Sequence, residues 1–207
     1  MLAYRGRSTW SLARMNMNIE SRNSTMPGAS FADAQANMRS GYLSGAPGVF
    51  VSGCVWLAAG LVAALKSPSI AVIVLLVGGA LIHPASVVLT KALGRAGAHD
   101  PGNPLAPLAL EGTFWLLAGI AIAYCMSVLR LEWFFPAMLL LIGGRYLTFQ
   151  TLYGLRIYWL CGALLCLAGV GLGIVRAPAY LSALSGAAIE LVFAARVLAH
   201  ARHNTAG

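Results

Sequence analysis

Four ionisable side chains sit where an apolar sequence offers them no water: His83, Glu111, Arg145 and Glu190. Arg145 lies inside Leu139-Leu140-Leu141-Ile142-Gly143-Gly144-Arg145-Tyr146-Leu147, His83 ends Gly78-Gly79-Ala80-Leu81-Ile82-His83, and Glu190 ends Ser185-Gly186-Ala187-Ala188-Ile189-Glu190. Ionisable groups within a membrane span are costly, face a bundle interior or a water cavity, and need partners, so they are functional candidates by default. A guanidinium there could bind an anionic group. A Glu–His pair could exchange a proton near neutral pH, since imidazole has a reference pKa of about 6.5. Similar depth suggests pairing Arg145 with Glu111 and His83 with Glu190. Aligning the glycines puts Thr148 in register with His83 and Glu190, one turn from Arg145. Tyr146 and Gln150 could line the same space, with Asn103, Tyr153 and Arg156 at its cytoplasmic mouth. The plain alternative is that an Arg–Glu pair only fixes helix register and a neutral His satisfies itself on a backbone carbonyl.

These residues are positioned by apolar runs. The chain of 207 residues is 59% hydrophobic and only 10% charged, with a mean hydropathy of +0.76. Soluble domains are about 25% charged, so this chain has too few charges for a water-facing surface. Six runs fall at about 47–65, 69–91, 105–128, 133–153, 157–175 and 179–199, each near the length needed to cross a bilayer as helix. The expectation is an all-α integral membrane protein with six transmembrane helices. Pro84 should kink the second span just after Gly78 and Gly79, because it removes a backbone hydrogen bond and presses on the preceding turn. Trp133, Phe134 and Phe135 suit an outer aromatic belt, and Tyr153, Tyr158 and Trp159 an inner one.

The runs carry an internal repeat. Leu57-Ala58-Ala59-Gly60, Leu116-Leu117-Ala118-Gly119 and Cys166-Leu167-Ala168-Gly169 mark the first helix of three successive hairpins, and glycines at 78–79, 143–144 and 185–186 mark the second. Two spans per unit make the copies parallel repeats. Small residues also recur in membrane helices simply because they let helices pack closely.

Residues 1–40 form a basic polar arm before the six-helix domain at 41–203. The arm is expected to be partly disordered, with a short amphipathic helix from Phe31 to Leu43 dipping Phe31, Met38 and Tyr42 into the membrane surface. An organellar transit peptide, or upstream sequence ahead of a start at Met26 or Met38, are alternatives for this Arg- and Ser-rich stretch. With six spans, ten Lys and Arg residues fall on the side of both termini and three on the other, so both termini should be cytoplasmic. The formal charge of +8 is then attracted to anionic lipid and does not signal nucleic acid.

The four cysteines match no zinc or redox spacing and read as buried apolar thiols. No GxSxG, HExxH or metal-ligand cluster is present, so neither metal nor cofactor is expected, and an enzyme is disfavoured. Three classes remain open. A small-solute or ion transporter or channel would use the polar site. A membrane-embedded enzyme acting on lipid would need a lateral slot. A scaffold or sensor for a partner protein would keep its polar residues paired and dry. The bilayer is one partner, a small anionic solute or ion a second, and a homo-oligomer is compatible with the size.

Ser44-Gly45-Ala46-Pro47-Gly48, Leu81-Ile82-His83-Pro84, Gly102-Asn103-Pro104, Glu132-Trp133-Phe134-Phe135-Pro136 and Gly143-Gly144-Arg145-Tyr146 together resemble a bacterial family of small six-helix membrane proteins, defined as a domain of unknown function. The resemblance covers roughly residues 35–200. It implies a bacterial inner-membrane location, sets residues 1–25 outside the common core and weakens the transit-peptide reading. It implies no activity.

Overall fold

The computed structural model describes residues 30–203. Of the described residues, 30–33 belong to a first unit of the chain and 34–203 to a second, compact one. The arm containing Arg5, Arg7, Arg14 and Arg22, with the tail, transit-peptide and late-start readings, lies outside the described residues. Within the first unit, Ser30 and Asp33 cap a helix reciprocally. The Asp33 amide donates to Ser30 Oγ at 3.2 Å, and the Ser30 amide and hydroxyl donate to Asp33 Oδ2 at 3.0 and 2.7 Å. Such a capping box satisfies amides that the first helical turn leaves unpaired.

Helix α1 runs Phe31–Tyr42. Six longer helices follow: α2 Ala46–Leu65, α3 Pro68–Ala92, α4 Ala106–Leu129, α5 Phe134–Tyr153, α6 Ile157–Ile174 and α7 Ala179–His203. No strand occurs among the described residues. Five stretches are long and apolar enough to cross a membrane, namely the one containing α2, then α3, α4, α6 and α7. The chain is an all-α, multi-pass membrane protein. Helix α5, at 20 residues, matches α2 in length, but Arg145 and Gln150 dilute its apolar character. α3 continues unbroken through Pro84, so the proline does not interrupt the helix.

Small residues set the packing. In lipid there is no hydrophobic force between helices, so close approach over small residues carries the association. α2 and α7 lie antiparallel with Gly53 against Leu191 and Gly60 against Leu184. α5 and α6 lie antiparallel with Gly143 over the Gly162 carbonyl and Gly169 over the Pro136 carbonyl. In both double glycines the first residue takes the contact, Gly78 on Val55 and Gly143 on α6, while Gly79 and Gly144 face open space. The closest pairs, α2 with α7 and α5 with α6, cut across the three expected hairpins, so the repeat remains an expectation from sequence. α3 and α4 bury few residues and present apolar faces outward.

Two sequence expectations change here. Phe134 and Phe135 are fully buried rather than in an outer belt, with their rings edge to face at 5.2 Å and Phe135 beside Trp56 at 6.3 Å. Tyr153 and Tyr158 are buried too, leaving Trp133 and Trp159 as the exposed aromatics of the two belts. Of the cysteines, Cys161 is buried and Cys166 half-buried, whereas Cys54 and Cys125 are exposed.

Candidate functional site

Helix α1 covers the end of the bundle where α5 finishes. Its Gln35 side chain donates to the Thr151 carbonyl at 2.8 Å and its Arg39 guanidinium to the Tyr153 carbonyl at 2.7 Å. Those carbonyls belong to the last turn of α5, which has no helical partner for them and attracts cations. Asn103, buried in the α3–α4 connector, donates from Nδ2 to the Ala34 carbonyl and to Asn37 Oδ1, both at 2.9 Å. Tyr42 and His99 Nδ1 share a hydrogen bond of 2.8 Å. Gly97 donates to the Gly41 carbonyl at 3.0 Å, an approach that leaves no room for a side chain at Gly41.

The corner from α1 into α2 passes through Leu43, Ser44 and Gly45, all left-handed at φ of 50°, 57° and 82°. Non-glycine residues adopt this region at a cost that surrounding contacts must hold. Tyr158 does so, its hydroxyl donating to the Ser44 carbonyl at 2.6 Å. Asn103 and Tyr153 therefore lie buried beneath α1 and do not line a mouth, while Arg156 is exposed. Met38 is likewise buried in protein instead of dipping into lipid, because α1 finds both apolar cover and backbone acceptors on the bundle.

At mid-span the structure separates the expected cluster into three places. Arg145 lies between α4 and α5. It donates to the Gly112 carbonyl at 3.2 Å and to Thr113 Oγ1 at 3.2 Å from two of its nitrogens, and its guanidinium lies over the Phe149 ring at 5.6 Å. Glu111 is exposed and pairs with no cation of the described residues within 4.0 Å, unlike Glu132, which lies 3.7 Å from Arg130. The Arg145–Glu111 pair is thus not formed. One helical position carries Glu111 round to the outer side of α4, and Gly112 and Thr113 face α5 in its place.

Thr148 returns its hydroxyl to the Arg145 carbonyl at 2.7 Å and looks toward Gly112. Gln150 is half-buried. His83 is exposed on α3, whereas Glu190 is completely buried between α7, α2 and α5, so the His83–Glu190 pair is not formed either. α3 packs on α2, which keeps its polar face away from α7.

Ser52 and Trp56 of α2 and Tyr146 of α5 turn their donors toward Glu190, though none closes a hydrogen bond of good geometry to either carboxyl oxygen. Tyr146 is buried, stacked on Tyr158 at 6.0 Å and edge to face with Phe149 at 5.3 Å. Arg145 and Glu190 each stand eleven residues into helices that run the same way, about 16 Å along the axis at 1.5 Å per residue. They share a depth, and Arg145 and Tyr146, successive residues of α5, reach to opposite sides of it. At the face opposite α1, Met126, Leu129, Arg130, Glu132, Trp133 and Arg176 line a recess of about 300 Å³.

The chain belongs to the family of unknown function DUF7010. The family model matches residues 31–200, a stretch that contains Arg145, Glu190 and every neighbour described above. No curated protein and no solved structure matches the chain. Sequence reasoning missed Ser52, Trp56, Thr113 and Ser182. A signal for one of them was present: Ser182, Gly186 and Glu190 recur at every fourth residue, which puts them on one helix face.

Proposed function

We propose that this protein moves a small anionic solute or ion across the bacterial inner membrane, with Arg145 as the group that holds it. The observation that carries this reading is a half-buried guanidinium at mid-span whose partners are all neutral: a carbonyl, a hydroxyl and an aromatic face. Insertion scales put an arginine at the centre of a span at about 2.5–3.5 kcal/mol, and such residues persist where they serve a pathway. An anion in reach of Arg145 would supply the missing charge. The excess of Lys and Arg at the α1 end supports cytoplasmic termini. A scaffold would pair a buried acid with a base, and the groups around Glu190 include no Lys, Arg or His.

The test is thermal unfolding of purified protein against a panel of anions from pH 5 to 8, for wild type beside Arg145→Ala. A ligand that binds the folded state raises the melting temperature by mass action. One class of anion should stabilise wild type and leave the variant unmoved. Equal shifts in a folded Arg145→Ala protein would take Arg145 out of the site.

A further inference from the structure

Trp56 Nε1, Ser182 Oγ and both carboxyl oxygens of Glu190 are buried without a hydrogen bond of good geometry, alone in this among the described residues, although Trp56, Ser52 and Tyr146 all turn their donors toward Glu190. The atoms so left all lie on one seam. Ser182, Gly186 and Glu190 share a face of α7, and the Trp56 ring packs on Gly186, 2.9 Å from where a side chain would begin. Ser182 is three residues inside α7, Trp56 one turn deeper and Glu190 a further turn. The line is about 12 Å long. Buried polar atoms in proteins nearly always have partners, protein or water, so unpaired groups in a row mark a path for something small.

The surroundings of Glu190 say what it carries. Ser52 and Trp56 face it from α2 and Tyr146 from α5, and Cys161 faces it from α6. Tyr146 and Cys161 are the titratable neighbours, and no Lys, Arg or His is among these groups. A carboxylate buried without a cation is strongly disfavoured, so a positive charge must accompany it. The Trp56 N–H only donates, which suits a carboxyl group and repels a metal ion. No cluster of three acidic, His or Cys ligands exists among the described residues.

We propose that Glu190 carries a proton that reaches it through water along Ser182 and Trp56 from the α6–α7 loop end. This rests on the transport reading and deepens it: a hydronium ion in the seam gives its extra proton to the Glu190 carboxylate and reverts to water, and a monovalent anion at Arg145 crosses with that proton at no net charge. Tyr146 touches the Glu190 side of α5 while Arg145 works on the other, so one helix senses both loads.

Infrared spectroscopy of the protein in bilayers tests this without any solute. The chain has six Asp and Glu residues, few enough to assign. Wild type should show a carboxylic-acid carbonyl band that moves in deuterium oxide, disappears in Glu190→Gln and shifts in Glu190→Asp. Trp56→Phe and Ser182→Ala should each slow deuterium exchange at that band severalfold. A band that persists in folded Glu190→Gln, or stays unmoved in Glu190→Asp where the glutamine variant does not fold, overturns the assignment. Unchanged exchange in both seam variants overturns the path. Anion shifts that are equal in wild type and Arg145→Ala, or absent from wild type, would refute transport at Arg145 and leave this band in place, so the two failures are distinguishable.

Discussion

Gly143 and Gly144 are neighbours with opposite fates on substitution. A methyl group at Gly143 would lie 2.6 Å from Cys166 Sγ, 2.8 Å from the Gly162 carbonyl oxygen and 3.0 Å from the Cys166 amide nitrogen. Favourable carbon contacts begin near 3.5 Å, so α5 and α6 must part by about 0.7 Å. Two of the three obstacles are backbone, which no rotamer change moves. Overpacking of this kind costs about 1–3 kcal/mol, and replacing a mid-helix glycine returns about 0.5–1 kcal/mol. Gly143→Ala should therefore destabilise by about 1–2 kcal/mol. Gly144→Ala meets nothing within 4 Å and should stabilise by about 0.5–1 kcal/mol. The two variants then differ by about 2 kcal/mol, close to 30-fold in the unfolding equilibrium. Reversible unfolding in mixed micelles or bicelles measures the difference. If Gly144→Ala proves as damaging as Gly143→Ala, close α5–α6 contact is not what holds α5 in place.

Asn103→Ala removes three hydrogen bonds of 2.9 Å, two to α1 and one from the Leu105 amide; it should cost about 1–3 kcal/mol and speed hydrogen exchange across α1. Tyr158→Phe leaves the Ser44 carbonyl without its donor and should cost about 1–2 kcal/mol, read as a lower melting temperature. Ser67→Ala deletes the N-cap of α3, whose hydroxyl accepts from the Ile70 amide at 3.2 Å, and should lower stability by about 1 kcal/mol.

The helices were legible because lipid imposes length and apolarity on each span, and the observed ends fall within a few residues of the expected ones. The glycine contacts were legible as a motif, though not which member of each pair packs. Side-chain direction was not. Depth put Glu111 beside Arg145, but one residue along a helix turns the side chain by about 100°, and Thr113 took the place. His83 was lost for a different reason. Its pairing with Glu190 assumed adjacent helices, and which helices touch depends on small residues distributed over all of them. In the arm the helix from Phe31 was legible, but its docking was not, because Gln35, Asn37 and Arg39 each find a specific backbone or amide partner that composition does not reveal.

Helix α5 alone among the six longer helices has no stretch apolar enough to cross a membrane by composition, and its packing accounts for that. α4, α6 and α7 all contact it, so less of its surface meets lipid than that of α3 or α4. Surroundings of protein let it keep Arg145 and Gln150 at a depth where an outer helix could not. They also fix its rotation: Gly143 against α6 and Leu141 against Gly119 of α4 leave Arg145 only the α4 side and Tyr146 only the α7 side. Any shift that frees Arg145 from Thr113 must turn or slide α5, and Tyr146 would move against Glu190 in the same step. A charge change at either residue is therefore expected to be felt at the other through one rigid helix, which is the mechanical requirement for coupling an anion to a proton. Glu190→Gln should then alter the anion-induced thermal shift even though Glu190 does not touch the anion. An identical shift in wild type and Glu190→Gln would mean that α5 does not link the two sites.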